Sequence, residues 1–102
     1  MVWIYEHIQA EALIHLGRFD AARKVLKRAQ QHDILGSSHA WLALVEAATG
    51  NHQEARKLIQ KAEANMPGST PTGFRHLYNF ISTDNGGPNF ERAFDALEAV
   101  DL

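Results

Sequence analysis

The chain contains no cysteine, which removes a disulfide framework, a thiolate zinc site and a cysteine nucleophile, and leaves the redox compartment open. Neither sign of charge dominates: ten Lys and Arg stand against twelve Asp and Glu, a net charge of -2. That balance gives no electrostatic reason to expect nucleic acid or an anionic membrane as the main partner. Long apolar runs are missing too. The opening "MVWIYEHIQAEALIHLGR" has no basic lead, and Glu6, His7, Gln9 and Glu11 interrupt its apolar residues. It reads as neither a signal peptide nor a membrane span, so a cytoplasmic location is expected. Catalytic signatures are absent as well: there is no nucleophile elbow, no phosphate-binding glycine loop and no clustered carboxylate pair. Gly86-Gly87 before Pro88 reads as a turn. The expectation is a chain with no enzymatic activity and no cofactor.

What remains is ordinary for a soluble globular domain, with 45% hydrophobic and 22% charged residues. A length of 102 residues suits one domain with a modest core. Its organisation shows in an internal repeat. "GRFDAARKVLKRA" (Gly17 to Ala29) lies without a gap over "GNHQEARKLIQKA" (Gly50 to Ala62), at an offset of 33. Gly17 pairs with Gly50, Ala22 with Ala55, Arg23-Lys24 with Arg56-Lys57, Leu26 with Ile59, and Ala29 with Ala62. A weaker third copy, "NFERAFDALEAV", puts Ala93 in the place of Ala55 at an offset of 38, so an insertion lies upstream, in "STDNGGPN".

Each copy reads as two helices. In the second, Ser37 or Ser38 caps a helix through "HAWLALVEAA" and Gly50 ends it. The next helix carries Ala55, Leu58, Ile59 and Ala62 at helical spacing, with Pro67 beyond its end. In the third, Ser69 or Thr70 caps a helix with Pro71 in its first turn, running through "GFRHLYNFI" to the Gly86-Gly87-Pro88 breaker. Nothing alternates with period two over a useful length, so strands are not expected. The fold class expected is all-α: six antiparallel helices in three helix-turn-helix units, approximately 3–35, 36–68 and 69–102 of a single domain spanning 1–102. Alanines at 22, 29, 55 and 62 let paired helices approach closely, and Gly17 and Gly50 allow the tight reversals. No single pair buries its apolar face alone, so stability comes from stacking.

These residues resemble the tetratricopeptide repeat, a helix-turn-helix unit of about 34 residues. The family's turn glycine falls on Gly17 and Gly50, and its following aromatic on Phe19 and Phe90, with His52 in its place in the second unit. The small residue of the second helix falls on Ala22, Ala55 and Ala93, and the large apolar one on Leu26, Ile59 and Leu97. The second small position holds Ala29, Ala62 and the larger Val100; the closing proline is Pro67. In first helices the leucine-small pair is Leu42-Ala43, with only Ala10 kept in the first copy. The tail "MPGSTPTGFRHLYNF" with "NFERAFDALEAVDL" is similar to the last repeat of arrays appended to bacterial adenylate cyclases and winged-helix regulators.

The resemblance implies a short right-handed α-solenoid that acts as a scaffold for a protein or peptide. The alternative it raises is a C-terminal regulatory or sensor piece of a larger signalling enzyme or transcriptional regulator. In the family, five positions of each first helix face a concave groove. Carried over, these are Ile4, His7, Glu11, Ile14 and His15, then Ser37, Ala40, Leu44, Ala47 and Ala48, then Pro71, Phe74, Tyr78, Ile81 and Ser82. The groove so drawn has a polar end at His7-Glu11-His15, a small apolar middle at Ala40, Leu44 and Ala48, and aromatic anchors at Phe74 and Tyr78. The family's carboxylate clamp uses Lys and Asn where this chain has His7 and Glu11, so a chaperone C-terminus is disfavoured as partner.

The triplet at 7, 11 and 15 also invites a metal reading. His7 and His15 are about 12 Å apart along a helix axis, and one ion at a ligand distance of about 2 Å cannot reach both. At most, Glu11 and one histidine could share an ion, with other ligands recruited from elsewhere; a polar groove file open to solvent is the reading preferred, and no metal site is expected. The basic stretch "RKVLKR", echoed at Arg56, Lys57 and Lys61, recurs on successive second helices and reads as a solvated face, partly neutralised by Asp20 and Glu54. Trp3 and Tyr5 lie at the edge of the array, and so short an array is open to homodimerisation by stacking ends or exchanging a helix pair.

Overall fold

The computed structural model describes residues 2–31, 37–65 and 87–100, and these form five α-helices and no strand. In chain order they are α1 (Val2–His15), α2 (Phe19–Ala29), α3 (Ser37–Ala48), α4 (His52–Asn65) and α5 (Gly87–Val100). The segment expected to carry the third unit's first helix, with Phe74 and Tyr78, lies outside the described residues.

Two reversals, one after α1 and one after α3, are built identically. Gly17 has φ 78° and Gly50 φ 87°, a left-handed conformation that a side chain disfavours. At the first, the Gly17 N–H donates to the Ile14 carbonyl (2.9 Å) and the Arg18 N–H to the Leu13 carbonyl (2.8 Å). At the second, Gly50 donates to Ala47 (3.2 Å) and Asn51 to Glu46 (2.8 Å). Each pair of bonds satisfies carbonyls that a helix end otherwise leaves open, as a Schellman turn does. The 33-residue offset of Gly17 and Gly50 in the sequence is thus an offset of one backbone device.

The second helices bury matching stripes. In α2 these are Ala22, Val25, Leu26 and Ala29; in α4, Ala55, Leu58, Ile59 and Ala62. Both follow the i, i+3, i+4, i+7 spacing of one helix face. Asp20 in the first turn of α2 and Lys27 and Arg28 in its last complement the helix dipole.

The third helix is different, because its middle is buried all round. Six consecutive residues from Leu42 to Ala47 are buried, with α2, α4 and α5 packed about them. A helix apolar on every side belongs in the middle of a structure, and "LALVEAA" is such a helix save for Glu46. α5 packs mainly on α3 and also touches α1 and α4. It brings Phe90, Ala93, Phe94, Leu97 and Val100 into the same core cluster as Ala10, Ile14, Ala43 and Leu44.

Candidate functional site

The expected groove residues among the described helices lie on α1 and α3, and the structure gives them unlike surroundings. His7 is half-buried, and its Nε2 lies 2.7 Å from the hydroxyl of Ser38, which is itself buried on α3. Glu11 is half-buried and His15 exposed. Among the described residues no group of three or more His, Cys, Asp or Glu side chains is placed to hold a metal ion. Leu44 is fully buried and Ala40 nearly so. Ala48 is half-buried and borders a cleft of about 190 Å³ shared with Gly17, Phe19, Asn89, Arg92, Ala93 and Ala96. Phe74 and Tyr78 lie outside the described residues.

That cleft is an edge of the contact made by α5. Along α5 the buried residues are Phe90, Ala93, Phe94, Leu97 and Val100, an i, i+3, i+4, i+7, i+10 series. The Phe90 ring stands edge-on to Trp41 of α3, centroids 6.1 Å apart at 83°, and lies 6.3 Å from the ring of Phe94. Such edge-to-face contact adds to the burial of both rings. Polar contacts hold the two ends. Asn89 Nδ2 donates to the His15 carbonyl at the end of α1 (2.9 Å), and Arg92 donates to Asn89 Oδ1 (2.7 Å). At the other end the Arg56 guanidinium donates to the Val100 carbonyl (3.2 Å), meeting one of the carbonyls that the last turn of a helix leaves open.

Trp41, Asn89 and Arg56 were not among the expected site residues. Trp41 carried a signal, being a large aromatic at the start of a helix otherwise rich in alanine. Asn89 and Arg56 carried none, since each acts on a backbone carbonyl supplied by another helix.

The basic stretch of α2 is partly spent inside the fold. Arg23 Nε donates to Glu46 of α3, while its other nitrogens reach Asp20 (2.7 Å) and Thr49 Oγ1 (2.6 Å). Burial lowers the Arg23 pKa, but its bonds to Glu46 and Asp20 outweigh this and raise it above its ordinary value. Arg28 Nε lies 3.7 Å from Glu6 of α1. Asp20 pairs with Arg23 one turn on rather than with Lys24. Of "RKVLKR", Lys24 and Lys27 remain as exposed ammonium groups. Ile8 on α1 and Leu16 in the turn that follows it are large apolar side chains left 58% and 64% exposed. No described helix is long and apolar enough to cross a membrane.

Comparison with known families gives two matches to the tetratricopeptide repeat, over residues 6–28 and 36–61. These are most of α1 and of α2, and α3 with most of α4, so the matched stretches fall on the two helical hairpins just described. They support a tetratricopeptide-repeat assignment, and such repeats generally mediate protein–protein interaction. Neither a curated protein nor a solved structure matches the chain.

Proposed function

We propose that this chain is a tetratricopeptide-repeat module that binds a protein partner through the face formed by α1 and α3, with no chemistry of its own. The observation that carries this reading is the pair of tandem matches, over 6–28 and 36–61. The turns at Gly17 and Gly50, the buried alanines at 22, 29, 55 and 62, and the cross-repeat link from Arg23 to Glu46 give those matches a physical basis. First helices supply the binding face in the family. Here that face carries His7, Glu11 and His15 on α1, and Ala40, Leu44 and Ala48 on α3; Phe74 and Tyr78 would extend it.

Burial decides which of these residues reports on binding. Leu44 is wholly inside, so its replacement weakens the fold before it weakens an interface. His15 is exposed and is the better probe. The test is a photo-crosslinking amino acid placed at His15 or, on the outer helix, at Lys24, in the full chain within the cells that make it. A partner captured from position 15 and not from position 24 is the expected result. Capture from 24 alone would move the binding surface to the outer helices, and capture from neither would sink the interaction reading.

A further inference from the structure

α1 is apolar on two sides and covered on one. Ala10 and Ile14 are fully buried in the core, whereas Ile8 is 58% exposed, Leu16 is 64% exposed and Ala12 is open to solvent. Leu16 follows the last residue of α1, but its N–H donates to the Ala12 carbonyl (3.1 Å), so it continues the helical path. Ile8, Ala12 and Leu16 thus form one ridge at i, i+4 and i+8. A helix that is apolar beyond its buried stripe calls for a second cover.

The internal repeat shows what kind of face this is. At the 33-residue offset, Gln9, Ala12 and Leu16 correspond to Leu42, Val45 and Thr49 of α3. With Ser38, those residues make the file that α3 turns toward the first hairpin. Ser38 meets His7 of α1, Thr49 accepts a bond from Arg23 of α2, and Leu42 and Val45 between them are buried. On α3 this file is a packing surface; on α1 its counterpart is exposed.

Neither second helix of another copy suits that surface. The packing of α2 on α3 is closed by Arg23, whose guanidinium reaches Glu46 and Thr49. One repeat earlier the places of these two acceptors are taken by Leu13 and Leu16. An arginine brought there, whether Arg23 or its counterpart Arg56, would lose water and find no acceptor, which is costly. The ridge instead complements itself. We infer that two copies of this chain pair through α1, antiparallel, about a two-fold axis at Ala12. Ile8 and Leu16 lie four residues to either side of Ala12, so the axis sets Ile8 of one copy beside Leu16 of the other, twice. Ala12 lets the helices approach closely where they cross. The ridge holds no charged residue for the symmetry to set against its like. The result is a closed, isologous contact. Its small area falls below the ~1,200 Å² of standard interfaces, so the dimer is weak and depends on concentration. It uses an edge of the array apart from the partner face proposed above, and neither reading depends on the other.

Sedimentation velocity of the full chain over a wide concentration range tests the pairing. The mass should rise from one chain to two and no further. Leu16→Lys and Ile8→Lys, each at an exposed position, should leave helical content and the thermal midpoint unchanged and weaken the dimer about tenfold or more. Because the chain has no cysteine, Ala12→Cys reports on the axis itself: two such residues come within disulfide reach only where two copies meet at this position. Oxidation should link Ala12→Cys chains to one another, and adding Leu16→Lys should abolish the link. Lys57→Cys on α4 is the control for head-to-tail stacking. A chain that stays monomeric at every concentration overturns the inference, as does a Leu16→Lys variant that dimerises like wild type. So does a disulfide between positions 12 and 57 of mixed chains in place of the link between two copies of position 12. The two readings fail separately: a monomeric chain leaves the partner face untouched, and capture of nothing but a second copy at position 15 supports the pairing alone.

Discussion

His7, Glu11 and His15 sit four apart on α1, yet each meets a different environment. Helical spacing told which residues share a file; it carried no information on what faces that file. His7 is turned to the buried Ser38 hydroxyl on α3, while His15 is exposed and gives its carbonyl to Asn89. The same limit applies to Arg23. Read along the chain it belonged to a basic stripe, because a charge on a helix is a surface charge unless another helix supplies a partner. Glu46 is that partner, and only 8% of its side chain is exposed. Taking Arg23 away strands a nearly buried carboxylate, which costs more than losing a surface ion pair. Arg23→Ala should lower stability by about 2 kcal/mol, read as a shift in the urea midpoint, whereas Lys24→Ala should change it by less than about 0.5 kcal/mol. Equal effects would show that the Glu46 pair contributes no more than solvated charge.

Among the elements, the turns were the most legible, because their cause is local. A glycine seventeen residues in and another 33 later announce a left-handed residue at the end of each first helix. The two are not equivalent in space. A Cβ on Gly50 meets nothing within 4 Å, but one on Gly17 would stand 3.2 Å from Asn89 Nδ2. Both Gly→Ala replacements pay about 1 kcal/mol for the backbone. Gly17→Ala must also push against the side chain that fastens α5 to α1, so it should be the more destabilising of the two in denaturant titrations. An identical cost at both sites would mean that Asn89 yields freely. For α3 the apolar run "LALVEAA" signalled a central helix more clearly than the groove register did. The register assigned Leu44 to an open wall; Leu44→Ala should therefore cost about 3 kcal/mol as a core cavity, measured by thermal or urea unfolding.

At the scale of the molecule, local pattern stops being informative. Phe90, Ala93 and Leu97 showed that α5 has a face to bury, and all three are fully buried. Which surface receives that face depends on how a helix distant in sequence returns to α1 and α3, and no spacing within α5 encodes it. The consequence is a molecule of extents 32 × 29 × 25 Å, in which the last helix lies over both earlier hairpins instead of adding only to their end. Repeat arrays ordinarily lose structure from their ends, because each unit touches only its neighbours. A helix in contact with α1, α3 and α4 should tie the two hairpins into one cooperative unit. Phe90 is where that tie should be cut: it is fully buried and leans on Trp41, and Phe90→Ala should remove about 3–4 kcal/mol. Native-state hydrogen exchange would locate the loss. If α5 couples the hairpins, amides in the middle of α1 and α4 lose protection together with those of α5, because all open in the same event. If only α5 exchanges faster, the hairpins stand without it and the array frays from its end like a simple stack.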